Sequence, residues 1–180
     1  MKINTKELVI CSMFAAITAI LAQIAIPIPF STVPLTMQVF AVTISGLVLG
    51  AKKGFITQFI YVLLGAIGLP VFAQMSGGLG ALFGYTGGFI MTFPLMALVV
   101  GYVSDKFNSI FPIIISMFLA LLITYTFGTL WYSFIAGVEF KKGLMVCVVP
   151  FILSDIVKVI FASYIGLKVK NEIRKRALSC

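Results

Sequence analysis

Three stretches of this 180-residue chain contain no charged residue: 8–51, 54–104 and 107–138. A soluble domain of this size cannot leave such runs uncharged and stay dispersed. The rest of the composition agrees, with 61% hydrophobic residues, 10% charged residues and a mean hydropathy of +1.18. These values describe a polytopic helical membrane protein rather than a globular one.

A hydrocarbon core needs roughly 20 residues of helix, fewer where neighbours cover a short one. Spans are expected at about 9–26, 35–49, 55–67, 89–103, 110–130 and 143–166. Pro27 and Pro29 stop the first, and Ser31-Thr32-Val33-Pro34 links it to the second. Gly50-Ala51-Lys52-Lys53-Gly54 forms a tight basic turn, and Gly68 with Pro70 ends the third span. Residues 68–88 hold seven glycines, which makes a long regular helix improbable there. Pro94 is expected to kink the fourth span, and Trp131 with Tyr132 reads as an interfacial aromatic pair. The expected architecture is an all-α membrane protein. It is a bundle of six transmembrane helices, with a glycine-rich outward-facing loop between helices 3 and 4. The whole of 1–180 then forms one integral membrane domain with a basic tail from about 168.

The net charge of +8 sits at segment ends and tails: Lys2, Lys6, Lys52, Lys53, Lys106, Lys168, Lys170, Arg174, Lys175 and Arg176. The positive-inside bias puts these ten in the cytoplasm with both termini, leaving Lys141 and Lys142 outside. The basic tail lacks interleaved aromatics, which argues against nucleic acid and suits anionic headgroups. The first apolar run is too long for a signal-peptide core and reads as a retained helix. Cys11, Cys147 and Cys180 show no metal or redox spacing. The chain has no histidine, so it lacks the commonest acid–base catalyst and metal ligand. No Gly-Lys-Ser or Gly-Lys-Thr P-loop occurs, which leaves no evident site for ATP hydrolysis. No catalytic residue, metal site or cofactor is expected.

The segment 143–166 carries two charged residues, Asp155 and Lys158. Three-residue spacing puts both on one helix face, and charge at membrane depth normally faces partners or a wet cavity. Pro150 upstream should bend the helix above them. Such a pair can meet a small polar ligand with an amide-like or urea-like head. It can equally lock two helices together, or relay ions in a stand-alone secondary carrier using Asp155–Lys158 as a protonation switch.

Gln38 and Gln74 fall where they can reach an outward-opening pocket, with Tyr85 among further polar groups at that level. Gln58, nearer the inner turn, suits helix–helix hydrogen bonding. The glycine-rich loop reads as a lid or pocket wall. Ala15, Ala19 and Ala22, with Ser12 and Ala16 beside them, form a small-residue stripe that suits a second membrane protein or packing within the bundle.

Together these residues resemble the BioY family, the biotin-specific substrate-binding subunits (S-components) of energy-coupling factor (ECF) transporters. The resemblance runs through Val33-Pro34-Leu35-Thr36-Met37-Gln38, Leu49-Gly50-Ala51-Lys52-Lys53-Gly54 and 65–73. It continues through Gly77-Gly78-Leu79-Gly80, Gly84-Tyr85-Thr86-Gly87-Gly88, Gly128-Thr129-Leu130-Trp131 and Pro150-Phe151 followed by Asp155-Ile156-Val157-Lys158. Tyr85 and Gln74-Met75 depart from the family pattern. The resemblance implies a membrane subunit that captures biotin from the outer face. Release then depends on a transmembrane coupling subunit and two cytoplasmic ATPase subunits; an S-component for another vitamin is the alternative. It makes Asp155 and Lys158 the pair for the ureido head. Gln38, Gln74, Gly78, Tyr85, Thr86 and Trp131 complete the expected site, and Leu79 and Phe83 pack the ligand. Ala15, Ala19 and Ala22 become the docking stripe.

Overall fold

The computed structural model describes residues 5–29 and 31–178, with side chains to Lys175. Lys2, Cys180 and the Arg176 side chain, which entered the charge and cysteine readings, lie outside the described residues. The helices are α1 (Thr5–Ala22), α2 (Gln38–Leu49), α3 (Ala51–Ala66), α4 (Leu79–Leu82), α5 (Gly87–Lys106), α6 (Ile110–Ala136), α7 (Phe140–Cys147) and α8 (Ile152–Leu178).

Helices α1, α5 and α6 and the stretch Phe140–Lys175 are long and apolar enough to cross a membrane, and α2 is a shorter apolar helix. Their outer faces bear large apolar side chains: Phe134 is 81% exposed, Leu153 76% and Phe111 74%. Only lipid suits such a surface, and the chain is a multi-pass membrane protein.

Interior packing relies on small residues. Gly46 of α2, Gly54 of α3 and Gly101 of α5 lie so close to neighbouring backbone that an added Cβ would fall 2.4–2.8 Å from it. Lipid tails are as apolar as the helices, so close backbone approach replaces the hydrophobic effect as the packing force. Gly50 alone separates α2 from α3, at φ 82°. There the Ala51 N–H donates to Asp105 Oδ2 of α5 at 3.0 Å. A Cβ on Gly50 would sit 2.4 Å from Asp105 Oδ1, so both conformation and space demand glycine. Deeper in the bundle, Gln58 donates to Thr18 of α1 and Ser45 of α2 at 3.0 and 2.9 Å, linking three helices.

Three features differ from the sequence reading. The link between the first two spans is not purely irregular, because Ala25–Ile26 and Leu35–Thr36 pair antiparallel as strands β1 and β2. This short ladder pairs backbone beside Pro27 and Pro34, and turn bonds from Gln23 and Ile24 to the Ile20 and Leu21 carbonyls close the end of α1. The sixth span is broken rather than bent: α7 ends at Cys147, a tight 3-10 turn covers Val149–Phe151, and α8 starts at Ile152. Pro150 cannot donate a backbone bond and lies within that turn. Helix α5 runs through Pro94 as a single element.

The alanine stripe is the third. Cys11, Ala15, Thr18 and Ala22 form the buried face of α1. Ala15 and Ala22 are therefore used inside the bundle, at 1% and 0% exposure. Ala19 is half-buried, and Ser12 and Ala16 are open.

Candidate ligand-binding site

Phe151, Asp155, Val159 and Ala162 recur at spacings of three and four and turn one face of α8 inward, with Lys158 beside them. Asp155 and Lys158 are 4% and 7% exposed. Lys158 Nζ donates to Asp155 Oδ1 at 2.7 Å. Across from them, the Tyr125 hydroxyl of α6 donates to Asp155 Oδ2 at 2.5 Å. Burying two ions costs several kcal/mol each, and the pair recovers this only when further hydrogen bonds serve the remaining lone pairs. Tyr125 supplies one such bond. The chain break helps too, since it places Asp155 in the first turn of α8, where the helix dipole favours an anion.

These three residues line a small cavity of about 60 Å³. Thr36, Gln38 and Val39 come from the β2–α2 side, Phe89 and Phe93 from α5, Thr124 from α6, and Cys147 and Phe151 from the α7–α8 break; Val33 completes it. Gln38 is held from two sides: it accepts from Thr36 Oγ1 at 2.9 Å and donates to Tyr61 Oη at 2.8 Å. The chemistry offered is a carboxylate acceptor, an ammonium donor and a carboxamide in an apolar wall. Such a set has the chemistry to meet a compact neutral head carrying both N–H donors and a carbonyl. A cavity of this volume has room for only a few water-sized groups. Ligand-sized pockets run to several hundred Å³, so a drug-sized guest enters only if the lining parts. Lys158 also borders a lateral groove of about 650 Å³ between α2 and α8, lined by Phe40, Leu153 and Phe161 among others.

The structure brings Asp155, Lys158 and Gln38 together. It does not bring Gln74, Gly78, Tyr85, Thr86 or Trp131 into the cavity. Gln74 is exposed at φ 58°, beside Met75 at φ 56°; the Met75 N–H is held by Gln23 Oε1 at 2.9 Å. Gly78 immediately precedes α4, and its N–H donates to the Gly65 carbonyl at 2.7 Å. Leu79 and Phe83, expected as packing surface, are both more than half exposed. Tyr85 stacks at an angle on Tyr132, with ring centroids 5.7 Å apart. Thr86 stands at the start of α5, three residues before Phe89. Trp131 donates to the Gly84 carbonyl at 3.0 Å and packs against Gly88. Among the residues lining this cavity, none comes from the glycine-rich segment 68–88.

Sequence reasoning missed Tyr125, Thr124 and Cys147. Thr124-Tyr125-Thr126 is a polar run deep within an otherwise apolar span, and that was the available signal. Cys147 carried none, and neither did Phe89 or Phe93, whose apolar side chains look like any other core residue.

A model of the BioY family matches residues 1–175. A probable biotin transporter BioY of Pyrococcus horikoshii is 39% identical over 168 residues, covering 93% of this chain and 98% of its own. The biotin transporter BioY of Thermotoga maritima is 38% identical over 166 residues, covering 92% and 96%. A crystal structure of the S-component for biotin from an ECF-type ABC transporter matches with a TM-score of 0.87 and 25% identity, covering 94% of this chain and 95% of that one. These relatives are transport proteins, not enzymes. With near-complete coverage in both sequence and fold, this chain belongs to the BioY family.

Proposed function

We propose that this chain is the biotin-binding S-component of an ECF uptake transporter. The observation that carries the reading is the buried Asp155–Lys158–Tyr125 cluster in an apolar cavity. Biotin's ureido ring has two N–H donors and one carbonyl; Asp155 accepts from the former and Lys158 donates to the latter. Gln38 adds a third polar contact. The lateral groove beside Lys158 provides apolar surface for the thioether ring or the aliphatic tail. Gln74, Gly78, Tyr85 and Thr86 act on the ligand when their segment moves inward with Phe89, and Trp131 of α6 is tied to that segment through the Gly84 carbonyl.

The chain forms a single integral membrane domain crossing the bilayer six times, by α1, α2, α3, α5, α6 and the α7–α8 pair. Both termini and the basic tail face the cytoplasm, and the segment 68–88 faces outward. With no P-loop in the sequence, release depends on a transmembrane coupling subunit driven by two cytoplasmic ATPases. Because Ala15 and Ala22 pack inside, docking on α1 falls to Ser12, Ala16 and the accessible part of Ala19.

Isothermal titration of the purified, biotin-depleted protein with biotin tests the reading. Saturable one-to-one binding is expected. A folded sample that binds no biotin overturns the assignment. Uptake that appears only when coupling and ATPase subunits are co-expressed supports the transporter role.

A further inference from the structure

Many serine and threonine hydroxyls in these helices share one pattern. Those of Thr18, Thr43, Thr92, Ser116 and Thr126 each donate to a carbonyl three or four residues earlier. This back-bonding is the ordinary way to satisfy a hydroxyl within an apolar span. Thr124 breaks the pattern. It is 2% exposed, and its Oγ1 is buried without a hydrogen-bond partner. The buried hydroxyls without a partner among the described residues are those of Thr57, Thr124, Thr129 and Ser133. Of these, Thr124 lines the cavity that holds Asp155 and Lys158. An orphaned hydroxyl in an apolar interior is costly and gains nothing within the protein itself.

We infer that Thr124 is a specificity-determining ligand contact, its hydroxyl donating to the head-group carbonyl beside Lys158. This rests on the biotin reading and extends it. A cyclic-urea carbonyl has two lone pairs. Lys158 meets one of them with its charge, and the carboxylate of Asp155, which only accepts, cannot meet the other. Tyr125 is committed to Asp155. Thr124 is the free donor on the opposite helix, one residue from Tyr125. The site is thereby tuned to a neutral oxygen urea, and a thiourea, whose sulfur accepts weakly, loses this contact.

Titration of wild type, Thr124→Val and Thr124→Ser with biotin and with its thiourea analogue tests this, alongside thermal melts without ligand. Valine keeps the shape and removes the hydroxyl. Thr124→Val is expected to weaken biotin binding by about tenfold and to leave the thiourea analogue nearly unaffected. Its ligand-free melting temperature should hold or rise, because an orphaned polar atom has been removed. Thr124→Ser should stay within about threefold of wild type for biotin. Biotin affinity unchanged in Thr124→Val, with wild type binding normally, overturns this inference alone. So does an equal loss for both ligands. A ligand-free melting temperature that falls in Thr124→Val marks a structural hydroxyl and also overturns it. Failure of the folded wild type to bind biotin overturns the underlying reading, and this inference with it.

Discussion

Tyr125 on α6 and Asp155 on α8 are joined by a 2.5 Å hydrogen bond, donated by the phenol to the carboxylate oxygen that Lys158 does not hold. The bond fixes the orientation of the carboxylate from a second helix, so the acceptor face shown to the cavity is set by the α6–α8 contact as well as by α8 alone. An i,i+3 ion pair on one helix has freedom that this arrangement removes.

Tyr125→Phe removes that restraint and keeps the ring. A hydrogen bond to a charged group is worth roughly 1.5–3 kcal/mol, here divided between folding and ligand binding. Biotin affinity should fall by about three- to tenfold in titration, with the helical fold intact by circular dichroism. An unchanged affinity would show that Asp155 adopts its binding posture without Tyr125.

Asp155 and Lys158 are best tested as a pair. Breaking a buried pair from one side costs about 3–5 kcal/mol, because the survivor is left uncompensated. Lys158→Met alone should therefore lower the melting temperature sharply. Asp155→Asn with Lys158→Met leaves no charge in the cavity, and should recover most of that stability. It should not recover biotin binding. A stable double variant that binds biotin like wild type would reduce the pair to a helix clamp.

The membrane class was legible because uncharged runs of this length have one physical meaning. Asp155 and Lys158 were legible because isolated charge in such a run is expensive and therefore placed for a reason. What escaped was whatever depends on which apolar faces meet. Ala15, Ala19 and Ala22 carry the same signal whether they face a partner or the bundle, and the structure turns two of them inward. Gln74 and Tyr85 look like site residues from their place in the loop, and in this structure neither lines the cavity, in a segment held by Gln23 and by the Trp131–Gly84 bond. Tyr125 was hidden by its type, since a tyrosine in a span reads first as packing.

Gln58 provides a contrast with the site. It bridges Thr18 and Ser45, but both hydroxyls also donate to their own helices, so neither donor is orphaned when the amide goes. Its own Oε1 is buried without a partner. Interhelical hydrogen bonds in membranes average about 0.6 kcal/mol, and loss of the orphan offsets part of that. Gln58→Met should change stability by less than about 1 kcal/mol, with biotin affinity unchanged. A clear affinity loss would extend the site to the inner half of the bundle.

The charge bias makes a definite statement about sidedness. In a variant with its native cysteines replaced, a cysteine at Lys142 should react with a membrane-impermeant maleimide applied to intact cells. One at Lys52 should react only after the cells are opened. The reverse pattern would invert the protein and put the segment 68–88 in the cytoplasm.

Gly101 tests the idea that backbone proximity, rather than apolar burial, holds the α2–α3 turn against α5. A Cβ there would lie 2.4 Å from the Ala51 nitrogen and 2.6 Å from its Cα, both main-chain atoms that cannot rotate aside. The same peptide is pinned by Asp105, so the turn between α2 and α3 cannot drift away from α5 without breaking that bond. Gly101→Ala must push α5 from the turn, losing both dispersion contact and the Asp105 hydrogen bond, and overpacking of this kind typically costs about 1–3 kcal/mol. The melting temperature should drop while the cavity, at the other end of α5 beside Phe89 and Phe93, keeps its biotin affinity in molecules that remain folded. A variant as stable as wild type would mean that this end of the bundle yields easily, and that the close glycine contacts are permitted rather than required.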